Sequence, residues 1–359
     1  MNLLFYSWFI LVIAGFLLKR SRVVAALQTL CIFILSGWSC GNADYWSYVR
    51  DYDVYTFANL SSKEPLFILP QMWTHALDLT YQQFLIILSA VVLLVLFLLM
   101  RRFRVKDISY VLSLYMIFPF PMNVVTTRFT MASVYIIAAF IFASYEGKKY
   151  RVLSVVFCIL ALLTHFSCIV FLPLFLFSYD EEKSYNRKLL IITIAVAFIA
   201  ITSYSIADLS SLVESQSFLK TVLTSVKNHQ NGNNFVSVIY MMILEAAVCI
   251  CALYQERMYD GKEGRLYDLV RKSNRILLLA LAFTMMDQNF FRIQMLELVF
   301  QFIAMAKIYE EEGQTVKNSK AGLLMGAQPV MMLLNLVIFS DNIDTVLWPL
   351  FENNLLLGT

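Results

Sequence analysis

Apolar runs of membrane-spanning length alternate with short polar stretches along almost the whole chain. These runs lie at 2–18, 23–39, 81–100, 108–119, 130–145, 189–207, 234–255, 276–286, 293–309 and 321–339. A helix needs about 20 apolar residues to cross a membrane, so most of the runs approach the required length. A further run at 152–178 is long enough for one tilted helix or for two short crossings that turn near His165.

The distribution of Lys and Arg decides between these two readings, because cytoplasmic loops are enriched in basic residues. With two crossings in the run at 152–178, 22 of the 28 Lys and Arg residues fall on the inner side of the membrane. With one long helix only 13 of them do, and the bias disappears. The six outer residues are Arg50, Lys63, Arg128, Lys220, Lys227 and Arg292. The charges therefore predict two crossings with a tight turn around residue 165.

The resulting prediction is an all-α, polytopic membrane protein with about twelve crossings and both termini outside. The spans at 152–164 and 276–286 are too short to cross alone, so we expect broken helices whose outer ends face a wet cavity. The first extracytoplasmic loop, 41–80, is predicted to contain an interfacial helix, and 208–233 forms another outer loop. Because no repeat or linker interrupts the chain, residues 1–359 are predicted to form a single transmembrane helical domain.

Composition excludes an ordinary soluble protein. The chain is 60% hydrophobic and 15% charged, with a mean hydropathy of +0.69, whereas soluble domains average about 45–50% and about 25%. The net charge of +3 is too small to indicate a nucleic-acid partner, and the lipid bilayer is the expected surrounding. The six cysteines lack zinc-ligand spacing, so neither a metal nor a cofactor is predicted.

The first outer loop carries acidic and aromatic residues at helical spacing. Asp44, Tyr48 and Tyr52 share one face if this segment is helical. Carboxylates hydrogen-bond sugar hydroxyls and aromatic rings pack on sugar C–H surfaces, so the face suits a carbohydrate; an interfacial helix with an aromatic belt fits equally well. Further along, Glu64 precedes Pro65 at a predicted helix start, where it serves either as a catalytic carboxylate or as a capping charge.

Three further outer segments carry polar side chains that a plain membrane span would not need. Arg128 at the outer start of a helix suits a phosphate or pyrophosphate, with snorkelling to the headgroups as the alternative, and Asn123 shapes the preceding turn. His165, at the apex of the broken run, either exchanges a proton or hydrogen-bonds an anion, or else packs against a backbone carbonyl. Asp287 and Arg292 share a tight outer turn, where they either pair with each other or contact a ligand.

The order of these short motifs resembles the EpsG family of bacterial exopolysaccharide proteins, which is similar in role to the O-antigen and capsule polymerases of the Wzy type. The matching residues are Asp44, Tyr45 and Tyr48; Glu64, Pro65, Leu66 and Phe67; Asn123, Arg128 and Ala132; His165 and Ser167; and Arg292. The resemblance covers roughly residues 1–310. One departure is Phe129, which stands where the family usually has a glutamine after the arginine.

The resemblance implies a polysaccharide polymerase on the outer face of the bacterial cytoplasmic membrane, with a glycosyltransferase-C-like architecture. A growing glycan on undecaprenyl pyrophosphate would be transferred to the non-reducing end of a new lipid-linked repeat unit. A flippase and a chain-length regulator are the candidate protein partners. The alternatives are another polyprenyl-donor glycosyltransferase, a ligase, or a flippase for lipid-linked oligosaccharide; Glu245, within a span, favours the last.

In this interpretation Arg128 and Arg292 meet the departing pyrophosphate, since fixed cations stabilise an anionic leaving group. Asp44 is the favoured general base, and His165 or Glu64 is its substitute. The predicted substrate-binding residues are Arg128, Arg292, Tyr45, Tyr48, Tyr52, Asn123 and Asp287. The identity of the sugar and the stereochemistry of the linkage are not predicted.

Overall fold

The protein is all-helical throughout the part described by the computed structural model, which comprises residues 3–61, 64–206, 235–259, 261–312, 320–335 and 343–357. Within these ranges the only strand-like pairing is an isolated bridge between Ser39 and Asn354. The helices are α1 (Leu3–Leu17), α2 (Arg22–Gly37), α3 (Tyr45–Val54), α4 (Pro65–Ala76), α5 (Tyr81–Arg102), α6 (Ile108–Ile117), α7 (Phe120–Val125), α8 (Thr127–Ala143), α9 (Lys148–Thr164), α10 (Leu172–Leu176), α11 (Glu182–Ile206), α12 (Phe235–Gln255), α13 (Arg265–Thr284), α14 (Ile293–Glu312), α15 (Lys320–Leu334) and α16 (Trp348–Glu352). The predicted outer loop at 208–233 lies outside the described residues.

Membrane-spanning length is met most clearly at Tyr81–Arg102 and Ile239–Met258, which are long and apolar enough to cross a bilayer. Several shorter apolar helices accompany them, among them α1, α2, α6 and α8. The all-helical, membrane-type architecture agrees with the sequence analysis. The number of crossings stays a prediction.

Local sequence explains where the helices of the predicted first outer loop begin. Pro65 occupies the first turn of α4, as predicted, because its missing N–H would have no partner there. Thr80 opens α5 with a capping box, in which its hydroxyl accepts from the Gln83 N–H while the Gln83 side chain accepts from the Thr80 N–H. At 12 residues α4 is too short to span, in keeping with an interfacial helix.

The chain reverses at His165, as the charge distribution predicted. Helix α9 ends at Thr164, a 3₁₀ helix covers Phe166–Phe171, and α10 runs back along α9. As a result Arg151, in the first turn of α9, donates from Nη2 to the carbonyl of Leu176 at the end of α10, over 2.9 Å. Helix α9 is longer than the predicted span at 152–164, because it begins at Lys148 and has 17 residues. The basic residues Lys148, Lys149 and Arg151 therefore belong to the helix.

A second hairpin joins α13 and α14, with a 3₁₀ helix at Gln288–Arg292 as its turn. The sequence predicted a short span at 276–286, but α13 is a 20-residue helix that starts at Arg265. The basic residues inside it are neutralised locally. Lys272 is only 2% exposed and donates from Nζ to the carbonyls of Ser178 and Asp180, each over 2.8 Å. Residues 265–275, which precede the predicted span, are therefore helical, and Lys272 among them is buried.

Candidate functional site

The candidate site lies where four separate segments meet: the first helix of the outer loop, the start of α4, the start of α8 and the break after α9. Glu64 connects three of them. Its Oε1 accepts the backbone N–H of Phe166 over 2.9 Å, and its Oε2 lies 3.5 Å from Nη1 of Arg128. Arg128 in turn donates from Nε to the hydroxyl of Tyr48 over 3.2 Å. Residues far apart in sequence thus form one network.

Glu64 does not cap the helix that it precedes, because its side chain makes no capping hydrogen bond. The carboxylate is instead engaged by Phe166 and Arg128, although Glu64 occupies the N-cap position of α4. Burial raises the pKa of the Glu64 carboxyl, and the Phe166 N–H and the charges of Arg128 and Arg292 oppose the rise. Its proton affinity is therefore higher than that of an exposed glutamate, which suits a group that gains and loses a proton.

Arg128 is half-exposed at the start of α8, with its guanidinium held above two aromatic rings. The Cζ atom lies 5.9 Å from the ring centroid of Tyr48 and 5.9 Å from that of Phe67. The side chain is 46% exposed, and among the described residues its one ion pair spans 3.5 Å, so the guanidinium keeps donors available for a ligand. A rigid guanidinium fork at a helix N-terminus is well suited to an oxyanion.

The hydrogen bonds of His165 determine what its imidazole can do. Nδ1 accepts the backbone N–H of Ser167 over 3.3 Å and lies 2.7 Å from the Ser167 hydroxyl oxygen. A backbone N–H can only donate, so Nδ1 carries no proton here, and the proton of the neutral ring resides on Nε2. The ring packs edge-on against Phe129, with centroids 5.6 Å apart. His165 is therefore arranged as a hydrogen-bond donor through Nε2, whereas the sequence analysis offered it as a substitute base.

The turn between α13 and α14 repeats the geometry of the His165 turn. Asp287 has φ −150° and ψ 122°, and His165 has φ −153° and ψ 119°. Each side chain accepts the N–H two residues later, which for Asp287 is that of Asn289 over 2.8 Å. The two turns touch through Phe166 and Phe290, whose ring centroids are 6.3 Å apart. The two broken hairpins thus bring their apices together.

Arg292 closes the site from this second turn. Among the described residues no ion pair joins it to Asp287, so the predicted pairing of the two is absent. Its Nε is buried without a hydrogen-bond partner in the described part of the chain. Its charge interacts with Tyr48, Asp44 and Arg128, and less strongly with Asp287. Two guanidinium groups, one from the start of α8 and one from the turn before α14, therefore lie within electrostatic range of each other.

Asp44 lies at the N-cap position of α3, half-buried, and makes no side-chain capping bond. Within the described ranges its carboxylate has no hydrogen bond or ion pair, although it interacts electrostatically with Arg292 and Tyr48. An unengaged carboxylate within electrostatic range of Arg292 is available to accept a proton from a substrate. No three His, Cys, Asp or Glu side chains of the described residues come together as a metal site.

Comparison with known proteins places the chain in a family. The model of the EpsG family matches residues 22–348, nearly the whole sequence. The chain belongs to the EpsG family. No curated protein and no solved structure matches it. Membership makes it a polysaccharide polymerase-like membrane protein of the kind associated with polysaccharide biosynthesis.

Three residues predicted to bind substrate in this EpsG protein have their polar groups bonded internally. Tyr45 donates to Gln82 Oε1 over 3.0 Å. The hydroxyl of Tyr52 lies 2.9 Å from Thr74 Oγ1 and 2.8 Å from the carbonyl oxygen of Leu79. Asn123 donates from Nδ2 to the hydroxyl of Tyr115 over 3.0 Å. Their placement favours packing and turn formation, and their roles in binding stay predictions.

Tyr81 was not predicted from the sequence. Its ring packs against the three tyrosines of α3, which are Tyr45, Tyr48 and Tyr52. Its ring centroid lies 5.7 Å from that of Tyr45, 6.4 Å from that of Tyr48 and 5.7 Å from that of Tyr52. All four rings are buried in a cluster that is separate from the main core. A tyrosine in the first turn of an apolar helix reads as an interfacial aromatic residue, so the sequence carried no signal for this role.

Proposed function

We propose that this EpsG-family protein is a polysaccharide polymerase that joins undecaprenyl-pyrophosphate-linked oligosaccharide repeat units on the extracytoplasmic face of the bacterial cytoplasmic membrane. The observation that carries the proposal is a charged network in which Arg128, at the start of α8, lies 3.5 Å from Glu64. The charge of Arg292, from the turn before α14, interacts with Arg128 and with the carboxylates of Glu64 and Asp44. Such a site offers fixed cations for a pyrophosphate and carboxylates for a sugar hydroxyl.

In the proposed reaction a hydroxyl oxygen of the new repeat unit attacks the anomeric carbon of the growing glycan. A glycosidic C–O bond forms, and the bond from the anomeric carbon to the pyrophosphate oxygen breaks. Undecaprenyl pyrophosphate leaves with the electron pair of that bond and is met by Arg128, Arg292 and the Nε2–H of His165. The hydroxyl proton passes to a carboxylate, for which the unengaged Asp44 is the first candidate.

Glu64 has a second part in this scheme. Its carboxylate holds the Phe166 N–H and so fixes the turn that presents His165. It also orients Arg128, which donates from Nε to the Tyr48 hydroxyl. We therefore assign Glu64 to positioning in the first instance and keep it as an alternative proton acceptor.

The test is glycan synthesis in cells that carry single variants. Arg128→Ala and Asp44→Asn are expected to abolish long chains and to leave single repeat units on lipid, since loss of one charge-stabilising donor typically costs about 10²–10³ in rate. Arg128→Lys should restore only part of the activity, because an ammonium lacks the planar fork. Arg50→Ala, an exposed arginine on the neighbouring α3, is the matched control and should leave the ladder unchanged. Normal ladders from both site variants would refute the assignment.

A flippase for lipid-linked oligosaccharide is the second candidate, and one observation favours it. Glu245 in α12 and Glu297 in α14 are fully buried in helices of the bundle, where ionisable groups often mark a transport pathway. Glu297 is hydrogen-bonded by the Ser273 hydroxyl, which lies 2.6 and 2.8 Å from its two oxygens. Glu245→Gln should preserve polymer ladders in a polymerase and should stop delivery of repeat units to the outer face in a flippase.

A further inference from the structure

A groove of about 650 Å³ lies at the end of α9 that is remote from the candidate site. Its lining combines Lys148 and Arg151 with Val152, Val155 and Val156, and Tyr179 forms the opposite wall. The 17 residues of α9 separate the groove from His165 by about 25 Å at 1.5 Å per residue. It is therefore no part of the site described above.

The charges at this groove are uncompensated. Among the described residues neither Lys148 nor Arg151 forms an ion pair with a carboxylate, and both side chains are exposed. Arg151 uses one guanidinium nitrogen for the carbonyl of Leu176, which fixes its direction and leaves the other donors available. Gly147, with φ +112°, provides no capping side chain to the start of α9, so positive potential accumulates at the same rim.

The floor of the groove has the opposite character. Val152 and Val156 are exposed hydrocarbon on successive turns of α9, at 53% and 43%. The wall is rigid, because Arg265 stacks on the ring of Tyr179, with its Cζ 4.3 Å from the ring centroid. A cationic rim above an apolar floor fits a molecule that has an anionic head and a hydrocarbon tail.

We propose that this groove binds an anionic phospholipid of the leaflet opposite the candidate site, with its phosphate on Lys148 and Arg151 and an acyl chain along Val152 and Val156. The charge complementarity selects an anionic headgroup, and the valine floor selects a lipid over a free phosphate. The proposal does not depend on the proposed function, since the groove and the candidate site share no residue.

The experiment is native mass spectrometry of the full-length protein in neutral detergent, titrated with phosphatidylglycerol or with phosphatidylcholine of the same acyl chains. The wild-type protein should retain one phosphatidylglycerol in preference to phosphatidylcholine. The double variant Lys148→Gln/Arg151→Gln should bind phosphatidylglycerol roughly 30-fold more weakly, from about 1 kcal/mol per basic residue. Its binding of phosphatidylcholine should not change.

Two controls separate a built site from diffuse charge. Arg101→Gln/Lys106→Gln removes two exposed basic residues that do not line the groove, and phosphatidylglycerol retention should persist. Val152→Trp keeps every charge but fills the floor, so it should reduce retention of the lipid. An equal loss in the Arg101/Lys106 pair, or no loss in Val152→Trp, would overturn the proposal. Preferential binding of undecaprenyl phosphate over phosphatidylglycerol would overturn the assignment to a phospholipid.

Discussion

The hydrogen bond from the Phe166 N–H to Glu64 gives the sharpest local prediction. Glu64→Ala removes the acceptor that holds the first residue of the 3₁₀ helix after His165. A hydrogen bond to a charged acceptor contributes about 1.5–3 kcal/mol. The bond is partly open to solvent, with 24% of the Glu64 side chain exposed, so the lower end of that range applies.

A loss of about 1.5 kcal/mol corresponds to a roughly tenfold larger equilibrium constant for opening of the turn. Hydrogen exchange of the Phe166 amide, read by fragmentation mass spectrometry, measures that opening directly. Glu64→Gln keeps an amide oxygen in the same place, so its exchange should rise by only a few-fold. The amide of Cys158, buried inside α9 and away from the turn, provides an internal reference in each spectrum. Equal exchange in the alanine and glutamine variants, or unchanged exchange in both, would refute the reasoning.

Three other predictions address the charge of the site, the buried lysine and the topology. Because burial raises the pKa of Glu64, it takes up its proton at a higher pH than an exposed glutamate does; polymer synthesis should fall as the pH drops through that raised pKa, and Glu64→Gln should flatten this acid limb. A pH profile of Glu64→Gln identical to that of the wild-type protein would contradict this role. Lys272→Ala leaves the buried carbonyls of Ser178 and Asp180 without this hydrogen-bond donor, so it should lower the midpoint of thermal unfolding in detergent. Lys183→Ala, at an exposed lysine, should leave the midpoint unchanged. Equal midpoints for the two variants would count against the role of the buried lysine. A single reporter cysteine at Ser184 should resist an impermeant thiol reagent added from outside intact cells, and labelling there would exclude the predicted orientation.

The reversal at His165 could be predicted because topology depends on charges summed over many loops. No single residue in the run at 152–178 indicates a turn strongly, yet the balance of Lys and Arg on the two sides depends on it. The structure bears out the result through the contact of Arg151 with Leu176. A prediction from the total distribution of Lys and Arg remains correct even when single residues are assigned to the wrong side.

The start of α13 could not be predicted, because the neutralisation of its charges depends on tertiary contacts. Lys272 appears in sequence as a loop residue, since it stands among several other basic residues. In the fold, carbonyls of Ser178 and Asp180 and the carboxylate of Asp268 surround its ammonium group. These partners become visible only when α13 and the end of α10 are side by side.

The same limit applies to the first outer loop. Helical spacing correctly places Tyr48 and Tyr52 on one face of α3, but spacing does not tell whether another helix covers that face. The structure covers it with α4 and α5, so Tyr52 packs while Tyr48 reaches Arg128. The choice of Glu64 and Arg128 as site candidates came from their position at helix starts on the outer side, and the structure joins them in one network.

The central claim is that Arg128 and Arg292 serve pyrophosphate departure in a polymerase. The most direct measurement is made with the purified protein in proteoliposomes, supplied with undecaprenyl-pyrophosphate-linked repeat units alone. The account predicts long glycans and stoichiometric release of undecaprenyl pyrophosphate by the wild-type protein, with neither product from Arg128→Ala or Arg292→Ala and both from Arg50→Ala. Polymer formation by either site variant at the wild-type rate, or translocation of repeat units without any polymer from the wild-type protein, would contradict it.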